Sequence, residues 1–197
     1  MAGRFYKHVS FVVTLSSMAA PTALAAVINV PAGHATIQGA IDAAVNGDEI
    51  VVAPGTYKEA IDFLGKAIIL RSCAGPEVTT IDGEGNALHV VRCFNGEGPD
   101  TVLDGFTITG GNAADGESGG GMYNFNSSPT VIDCIFSENY AAHGGGGMCN
   151  YKSSVTVTDC KFSGSSAALG AGMGNFSSTP TVNNCTFSRN VFALWGG

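Results

Sequence analysis

The sequence predicts an all-β protein in which short parallel strands stack as a solenoid, preceded by a short capping α-helix. Three observations predict this fold. One segment recurs with a period of about 25 residues, its apolar residues alternate with polar ones at strand spacing, and no copy carries a helical stripe. The chain also has 28 Gly among 197 residues and only 13% charged residues, as expected for tight corners between closely stacked strands.

Residues 1–25 predict a secretory signal. Arg4 and Lys7 precede an apolar run, and residues 23–25 (ALA) form a small-x-small cleavage pattern, so we expect cleavage after Ala25. The alternative, a membrane anchor, is disfavoured because Ser10 and Pro21 interrupt the run. No later segment is long and apolar enough to cross a membrane. The sequence therefore predicts a secreted, extracellular or outer cell-surface protein.

The charge balance excludes nucleic acid as a partner. Removing the signal leaves 9 minus 2, or 7, basic residues against 16 acidic ones, a net charge of −9. A chain this acidic has no basic patch to neutralise phosphates.

Residues 26–66 are predicted to hold the cap helix and the first coil, and residues 67–197 the remaining coils. The helix is predicted over residues 36–45, with Thr36 as N-cap and Gly47 as the stop, so that it covers the open end of the solenoid. Short β-rich runs then follow at a spacing of about 20 residues, which we interpret as one coil each. They span residues 50–53, 67–70, 78–81, 89–91 and 102–109.

The clearest repeats lie in the second half of the chain. Residues 121–125 (GMYNF) recur at 147–151 (GMCNY) and 172–176 (GMGNF), and residues 130–136 recur at 156–162 and 181–187. We interpret each unit as a strand, a Gly- or Ser-rich turn and a second strand. A unit this short cannot bury its own apolar face, so it must stack on its neighbours. The chain stops where the next turn should begin, at residues 194–197, which predicts truncation at the C-terminus.

Stacking places equivalent residues about 4.8 Å apart, in columns. We expect an inward Cys column, an inward Phe column, and an Asn column whose amides bond to the copies above and below. These structural ladders consist of Cys134, Cys160 and Cys185, of Phe136, Phe162 and Phe187, and of Asn124, Asn150 and Asn175.

Two resemblances follow from these motifs. Residues 35–44 (ATIQGAIDAA) and 47–57 (GDEIVVAPGTY) look like the opening of secreted right-handed parallel β-helix proteins of the pectin-lyase-like superfamily. The Gly-Gly-Gly-Met elements and the Phe-x-x-Asn elements at 136–139 and 187–190 resemble repeats of polymorphic outer membrane proteins, although residues 162–165 lack the Asn. The resemblance implies a right-handed parallel β-helix.

Function does not follow from that fold, because it carries lyases, esterases, hydrolases and adhesins alike. The Asp clusters and the Asn-Thr-Asp, Asp-Asp and Gln-Asp-Thr-Leu motifs expected of the superfamily's enzymes are not found, so no catalytic residue is predicted. We expect an exported or cell-surface repeat protein with a structural, adhesive or ligand-binding role. The alternative is a carbohydrate-active enzyme, a polysaccharide lyase or glycoside hydrolase acting on pectin-like glycans.

Two sets of residues are candidates for binding. Asp133 and Asp159 precede inward Cys residues and should face outward, where they form either a solvated surface ladder or a weak calcium site. No other cofactor is expected. Phe125, Tyr151 and Phe176 form an aromatic column that either stacks on a glycan or a surface protein, or packs under a neighbouring loop.

The remaining candidates are histidine and cysteine. His34, His89 and His143 show no metal-ligand spacing and are interpreted as turn or surface residues, so no metal site is predicted from them. Cys73 and Cys93 form either a second stack or a bridge, and the disulfide state of Cys149 is left open as well.

Overall fold

The computed structural model describes residues 24–192. Most of the predicted signal, residues 1–23, and the predicted truncation point, residues 193–197, lie outside the described residues. One helix and 21 strands follow one another along the chain.

The elements, in chain order, are β1 (Val27–Val30), α1 (Ile37–Ala43), β2 (Glu49–Val52), β3 (Gly55–Lys58), β4 (Ile61–Asp62), β5 (Ile69–Ser72), β6 (Thr79–Ala87), β7 (Val91–Cys93), β8 (Val102–Asp104), β9 (Thr107–Ala113), β10 (Met122–Phe125), β11 (Thr130–Ile132), β12 (Ile135–Ser137), β13 (Tyr140–Gly144), β14 (Met148–Tyr151), β15 (Thr156–Thr158), β16 (Lys161–Ser163), β17 (Ser166–Leu169), β18 (Met173–Phe176), β19 (Thr181–Asn183), β20 (Thr186–Ser188) and β21 (Val191–Phe192).

The strands form three parallel sheets that the chain visits in the same order in every coil. Sheet 1 has seven strands, β1-β2-β5-β8-β11-β15-β19. Sheet 2 has nine strands. It begins with β3, β6 and β9 and then splits into two rows, because the beginning of β9 pairs with β12 and its end pairs with β13. One row continues through β16 and β20, and the other through β17 and β21. Sheet 3 has five strands, β4-β7-β10-β14-β18. The predicted all-β parallel solenoid with a short N-terminal helix is confirmed.

The pairing register corrects two details of the sequence interpretation. The unit is not strand, turn and strand: a late coil crosses four strands, such as β11, β12, β13 and β14. The early runs are also not one coil each, because Leu70 pairs directly with Leu103, and both β6 and β7 lie between these two residues in the same coil.

Inward residues of the three sheets form continuous apolar columns. On sheet 1 they include Leu70, Leu103 and Val131, all fully buried. On sheet 2 the rings of Phe136 and Phe162 stack with centroids 4.8 Å apart and planes 4° from parallel. Each such side chain contributes about 1.5–3 kcal/mol by leaving water. In the last described coil Phe187 stacks on Phe162 but is 48% exposed, since no further described coil lies over it.

Buried polar ladders run beside the apolar columns. Asn124 Nδ2 donates to Asn150 Oδ1 at 2.9 Å, and Asn150 Nδ2 donates to Asn175 Oδ1 at 2.8 Å. A second ladder, not predicted from sequence, is formed by serine: the Ser127 amide donates to Ser153 Oγ and the Ser153 amide to Ser178 Oγ. These bonds give buried polar groups the partners they require at every coil boundary.

The Asn ladder ends at its N-terminal side without a partner. The buried Oδ1 of Asn124 accepts no hydrogen bond from the described residues. The residue paired with Asn124 in the preceding coil is Cys93 and not another Asn. The amide column therefore begins at β10, whereas the sheet continues below it.

The Phe-x-x-Asn elements also join neighbouring coils. Asn139 Nδ2 donates to the carbonyl of Ile108 at 2.9 Å, and its Oδ1 accepts from the amide of Gly111 at 2.9 Å. Ser165, which replaces Asn in the next copy, instead accepts from the Asn139 amide at 3.3 Å. A side chain at this position thus ties each coil to the one before it.

The helix covers the N-terminal end of the solenoid and buries Ile37, Ala40 and Ile41. Thr36 Oγ1 accepts from the Gly39 amide at 3.0 Å, as its N-cap role predicts. The helix ends at Ala43, earlier than the predicted Gly47 stop. The carboxylate of Glu59 accepts from the first two helical amides, those of Ile37 and Gln38, at 2.9 Å each, and satisfies two otherwise unpaired donors.

We predict that Asn150→Ala lowers the free energy of unfolding by about 2–3 kcal/mol, because it removes two ladder bonds and leaves the buried Nδ2 of Asn124 unpaired. The measurement is denaturant unfolding of the purified protein. Asn95→Ala is the matched control, since the Asn95 side chain is exposed and makes no hydrogen bond within the described residues. Equal losses for the two variants would contradict a stabilising role of the ladder.

Candidate functional site

The outer face of sheet 3 concentrates the aromatic side chains of the molecule. Strand alternation points the last residue of each strand outward, so Phe125, Tyr151 and Phe176 form one column in register. Phe94, immediately after β7, adds a ring at its N-terminal end, and Tyr123 lies beside it. We call these five residues the aromatic stripe.

Four rings of the stripe, those of Phe94, Tyr123, Phe125 and Tyr151, pack against one another, whereas the ring of Phe176 packs on His143. Phe125 and Tyr151 are stacked, with centroids 5.5 Å apart and planes 10° from parallel. Phe94 meets Tyr123 edge to face at 5.1 Å and Phe125 at 6.1 Å. Phe125 is 36% exposed. The stripe therefore presents a row of rings along the solenoid axis, about one per coil.

Charged groups border the stripe on both sides. The Arg92 guanidinium lies 4.8 Å from the centre of the Phe94 ring and 3.5 Å from the carboxylate of Asp62. Lys152 Nζ lies 5.5 Å from the centre of the Tyr151 ring. Hydrogen-bond donors are thus placed next to the apolar faces.

A shallow cavity of about 410 Å³ opens at the N-terminal end of the stripe. Phe94 and Tyr123 form part of its wall, and the rest is provided by Ala60, Leu88, His89, Arg92 and Glu117. His89 was interpreted from sequence as a turn or surface residue; it lies in the turn between β6 and β7, but it is not at the surface. Its side chain is only 6% exposed because it packs beside the rings of Phe94 and Tyr123.

The loop between β9 and β10 folds over the outer face of sheet 3 and separates the two histidines. Its Gly119 carbonyl lies 2.9 Å from His89 Nδ1, and its Ser118 Oγ lies 3.1 Å from His143 Nδ1. His143 is exposed and stacks on Phe176 with centroids 5.3 Å apart. Beneath the loop, burial raises the pKa of the Cys149 thiol to about 12, so this outward Cys stays protonated.

The predicted acidic pair lies elsewhere, at the corner between sheets 1 and 2. Asp133 and Asp159 are exposed and adopt left-handed backbone conformations, with φ of 43° and 57°. The Asp159 carboxylate accepts from Asn184 Nδ2, the third member of the column. Burial, and secondarily the charge of Asp133, raises the pKa of Asp104. Within residues 24–192 no three His, Cys, Asp or Glu side chains are grouped so as to hold a metal ion.

The structure resolves the alternatives for cysteine. All six residues are free thiols. Cys73 is exposed at the end of sheet 1, whereas Cys93 is buried in sheet 3, so the two form neither a bridge nor a stack. Cys134, Cys160 and Cys185 stack inward, and the Sγ of Cys160 lies 3.4 Å from the Cys134 amide.

Of the aromatic stripe and the cavity at its end, only the column of Phe125, Tyr151 and Phe176 could be predicted from the sequence. His89, Arg92 and Glu117 lie in segments that have no repeated copy, so alignment of the repeats could not bring them together. Within the described residues no helix is long and apolar enough to cross a membrane.

The sequence model of the family described as "Right handed beta helix region" matches residues 61–197. A search of curated proteins gave no match.

We predict that a thiol reagent modifies Cys73 rapidly in the folded protein, while Cys93, Cys134, Cys149 and Cys160 react only after unfolding. Burial blocks access to these four side chains, and it also raises the pKa of Cys93, Cys134 and Cys149, which removes the reactive thiolate. Mass spectrometry after timed labelling measures this, with Cys73→Ser as the control that abolishes the fast phase. Rapid labelling of Cys149 in the folded state would contradict the covering role of the β9–β10 loop.

Proposed function

The chain belongs to the right-handed β-helix family, and on that scaffold we propose that it is an exported, non-catalytic protein that binds a neutral glycan along the aromatic stripe. The observation that carries this proposal is the open row of rings on the outer face of sheet 3. Aromatic rings combine a large apolar surface with low conformational entropy, and the apolar face of a sugar ring can pack across the exposed parts of the stacked rings.

The geometry of the stripe suits an extended ligand. Phe94, Phe125, Tyr151 and Phe176 repeat along the axis in the way that sugar units repeat along a polysaccharide. Arg92 and Lys152 stand beside the rings and can donate to hydroxyl groups. A small molecule would occupy only a fraction of this face.

Charge favours a neutral chain over a polyanionic one. The full sequence has a net charge of −7, and the nearest cation to the cavity, Arg92, already faces Asp62. A polyanion would approach an acidic protein against long-range repulsion. The signal-like residues 1–25 support export to where extracellular glycans occur.

A second candidate function, a carbohydrate-active enzyme, is favoured by one observation. His89, Glu117 and Tyr123 line the same cavity, and such groups can serve as acid or base. This alternative makes a different prediction, namely that the bound glycan, pectin-like or other, is cleaved.

We predict that the protein binds at least one member of a panel of neutral hexasaccharides (cello-, xylo-, manno- and maltohexaose), measured by isothermal titration calorimetry. Phe125→Ala and Tyr151→Ala should each weaken binding by roughly 5–10-fold, because each removes one stacking surface. Tyr140→Ala is the matched control: Tyr140 is 37% exposed but lies on sheet 2, so its loss should leave affinity unchanged.

Two results would contradict the proposal. Absence of binding to every neutral glycan, with binding to polygalacturonate instead, would overturn the choice of ligand. Steady release of shorter chains from a bound glycan, detected by chromatography, would replace the non-catalytic function with the enzymatic one.

A further inference from the structure

The cavity at the N-terminal end of the stripe contains a hydrogen-bond acceptor that the protein itself does not use. His89 lies shortly before β7, and its ring packs against those of Phe94, at 5.7 Å, and Tyr123, at 5.1 Å. The ring also forms part of the wall of the 410 Å³ cavity. Contact with these two rings restricts the orientation of the imidazole.

A backbone contact assigns the tautomer of His89. Nδ1 lies 2.9 Å from the carbonyl oxygen of Gly119. Because a carbonyl oxygen can only accept, Nδ1 must carry the proton, and in the neutral ring Nε2 then carries a lone pair. The Gly119 amide in turn donates to the Gly144 carbonyl at 2.9 Å, so the accepting group is itself held in place.

Nε2 has no hydrogen-bond donor among residues 24–192. Nε2 is not fully buried, since Asn124 Oδ1 is the one fully buried side-chain nitrogen or oxygen without a partner among the described residues. It is therefore accessible from the cavity that the ring lines, and a ligand in the cavity can supply its partner. The lone pair of Nε2 needs a hydrogen-bond donor. A hydroxyl group can donate to it, whereas a deprotonated carboxylate or phosphate ester cannot.

We propose that the cavity is the end subsite of the glycan-binding stripe and that His89 Nε2 accepts a hydrogen bond from a hydroxyl group of a neutral sugar unit. This inference rests on the proposed function and adds to it one recognition contact. It also makes binding depend on the protonation of one histidine, because an imidazolium has a proton on Nε2 and can no longer accept, so the hydroxyl group would have to turn its own hydrogen away and become the acceptor.

The surroundings keep His89 neutral at pH 7. Burial of the ring lowers its pKa below the ordinary value of 6.5, and the charge of Arg92 on β7 adds to this effect. The bond to Gly119 and the charge of Glu117 on the β9–β10 loop act in the opposite direction. Tyr123 faces the ring from β10, and burial raises the pKa of Tyr123 to about 12, so it stays uncharged.

The test is a titration of the tightest-binding neutral hexasaccharide between pH 4.5 and 8.0. For the wild-type protein we expect a constant Kd above pH 6.5 and, below the pKa of His89, an increase that levels off at about 5–10-fold, since protonation removes the same acceptor that His89→Asn removes.

Two substitutions distinguish the contribution of His89 Nδ1 to binding from that of Nε2. His89→Asn places an amide nitrogen near the position of Nδ1, keeps the bond to Gly119 and removes the acceptor in the cavity. We expect binding about 5–10-fold weaker at pH 7.5 and little pH dependence. His89→Gln places its amide near the position of Nε2, so we expect affinity near that of the wild type at pH 7.5, again with little pH dependence.

The outcomes distinguish this inference from the proposed function. Glycan binding that is independent of pH in the wild type, or unaffected by His89→Asn, would overturn the inference and leave the stripe intact. A pH dependence retained in His89→Gln would also overturn it, because the titrating group would then not be His89. Failure of all neutral hexasaccharides to bind would remove the proposed function first. Circular dichroism melting of each variant checks that it is folded.

Discussion

Every part of this structure depends on the vertical pairing of equivalent residues about 4.8 Å apart. In such a stack a side chain meets its own copy, so a residue is acceptable only if it tolerates a neighbour of its own kind. Phe on Phe and Asn on Asn satisfy this condition, as the stacked rings of Phe136 and Phe162 and the amide ladder show. A column of like charges does not, because the charges would repel one another. The low charge content of the repeats follows from this.

The same constraint shapes the candidate binding face. Repetition gives a row of similar rings, and a row of similar rings gives similar contacts at each coil. The cavity arises where repetition stops: the β9–β10 loop has no counterpart among the later coils, and it brings Glu117 toward the cavity that His89 lines. The repeated coils therefore determine how long the row of rings is. The irregular early coils add the polar and ionisable side chains that the repeats lack.

The sequence was informative wherever the structure repeats. The Asn, Cys and Phe columns and the aromatic column could be read directly, because three aligned copies reveal which residue faces which direction. The arrangement of the early coils could not be predicted from the sequence. Leu70 and Leu103 pair directly with each other, although two further strands lie between them in the chain. Spacing alone does not distinguish strands of one coil from strands of successive coils. The serine ladder was missed for another reason: Ser127 and Ser153 occur in turns, where serine is common without any ladder.

The unbroken register of β10, β14 and β18 has a consequence for how proteins of this design change size. The interfaces between these coils share the Asn, Phe and Ser ladders, so copying the segment from Gly147 to Ala171 into its own boundary would recreate those ladders. Each added repeat would place one more aromatic ring on the outer face of sheet 3 and lengthen that face by one coil. Slippage of a repeated gene segment would be enough to alter the length of glycan that the proposed binding face can span.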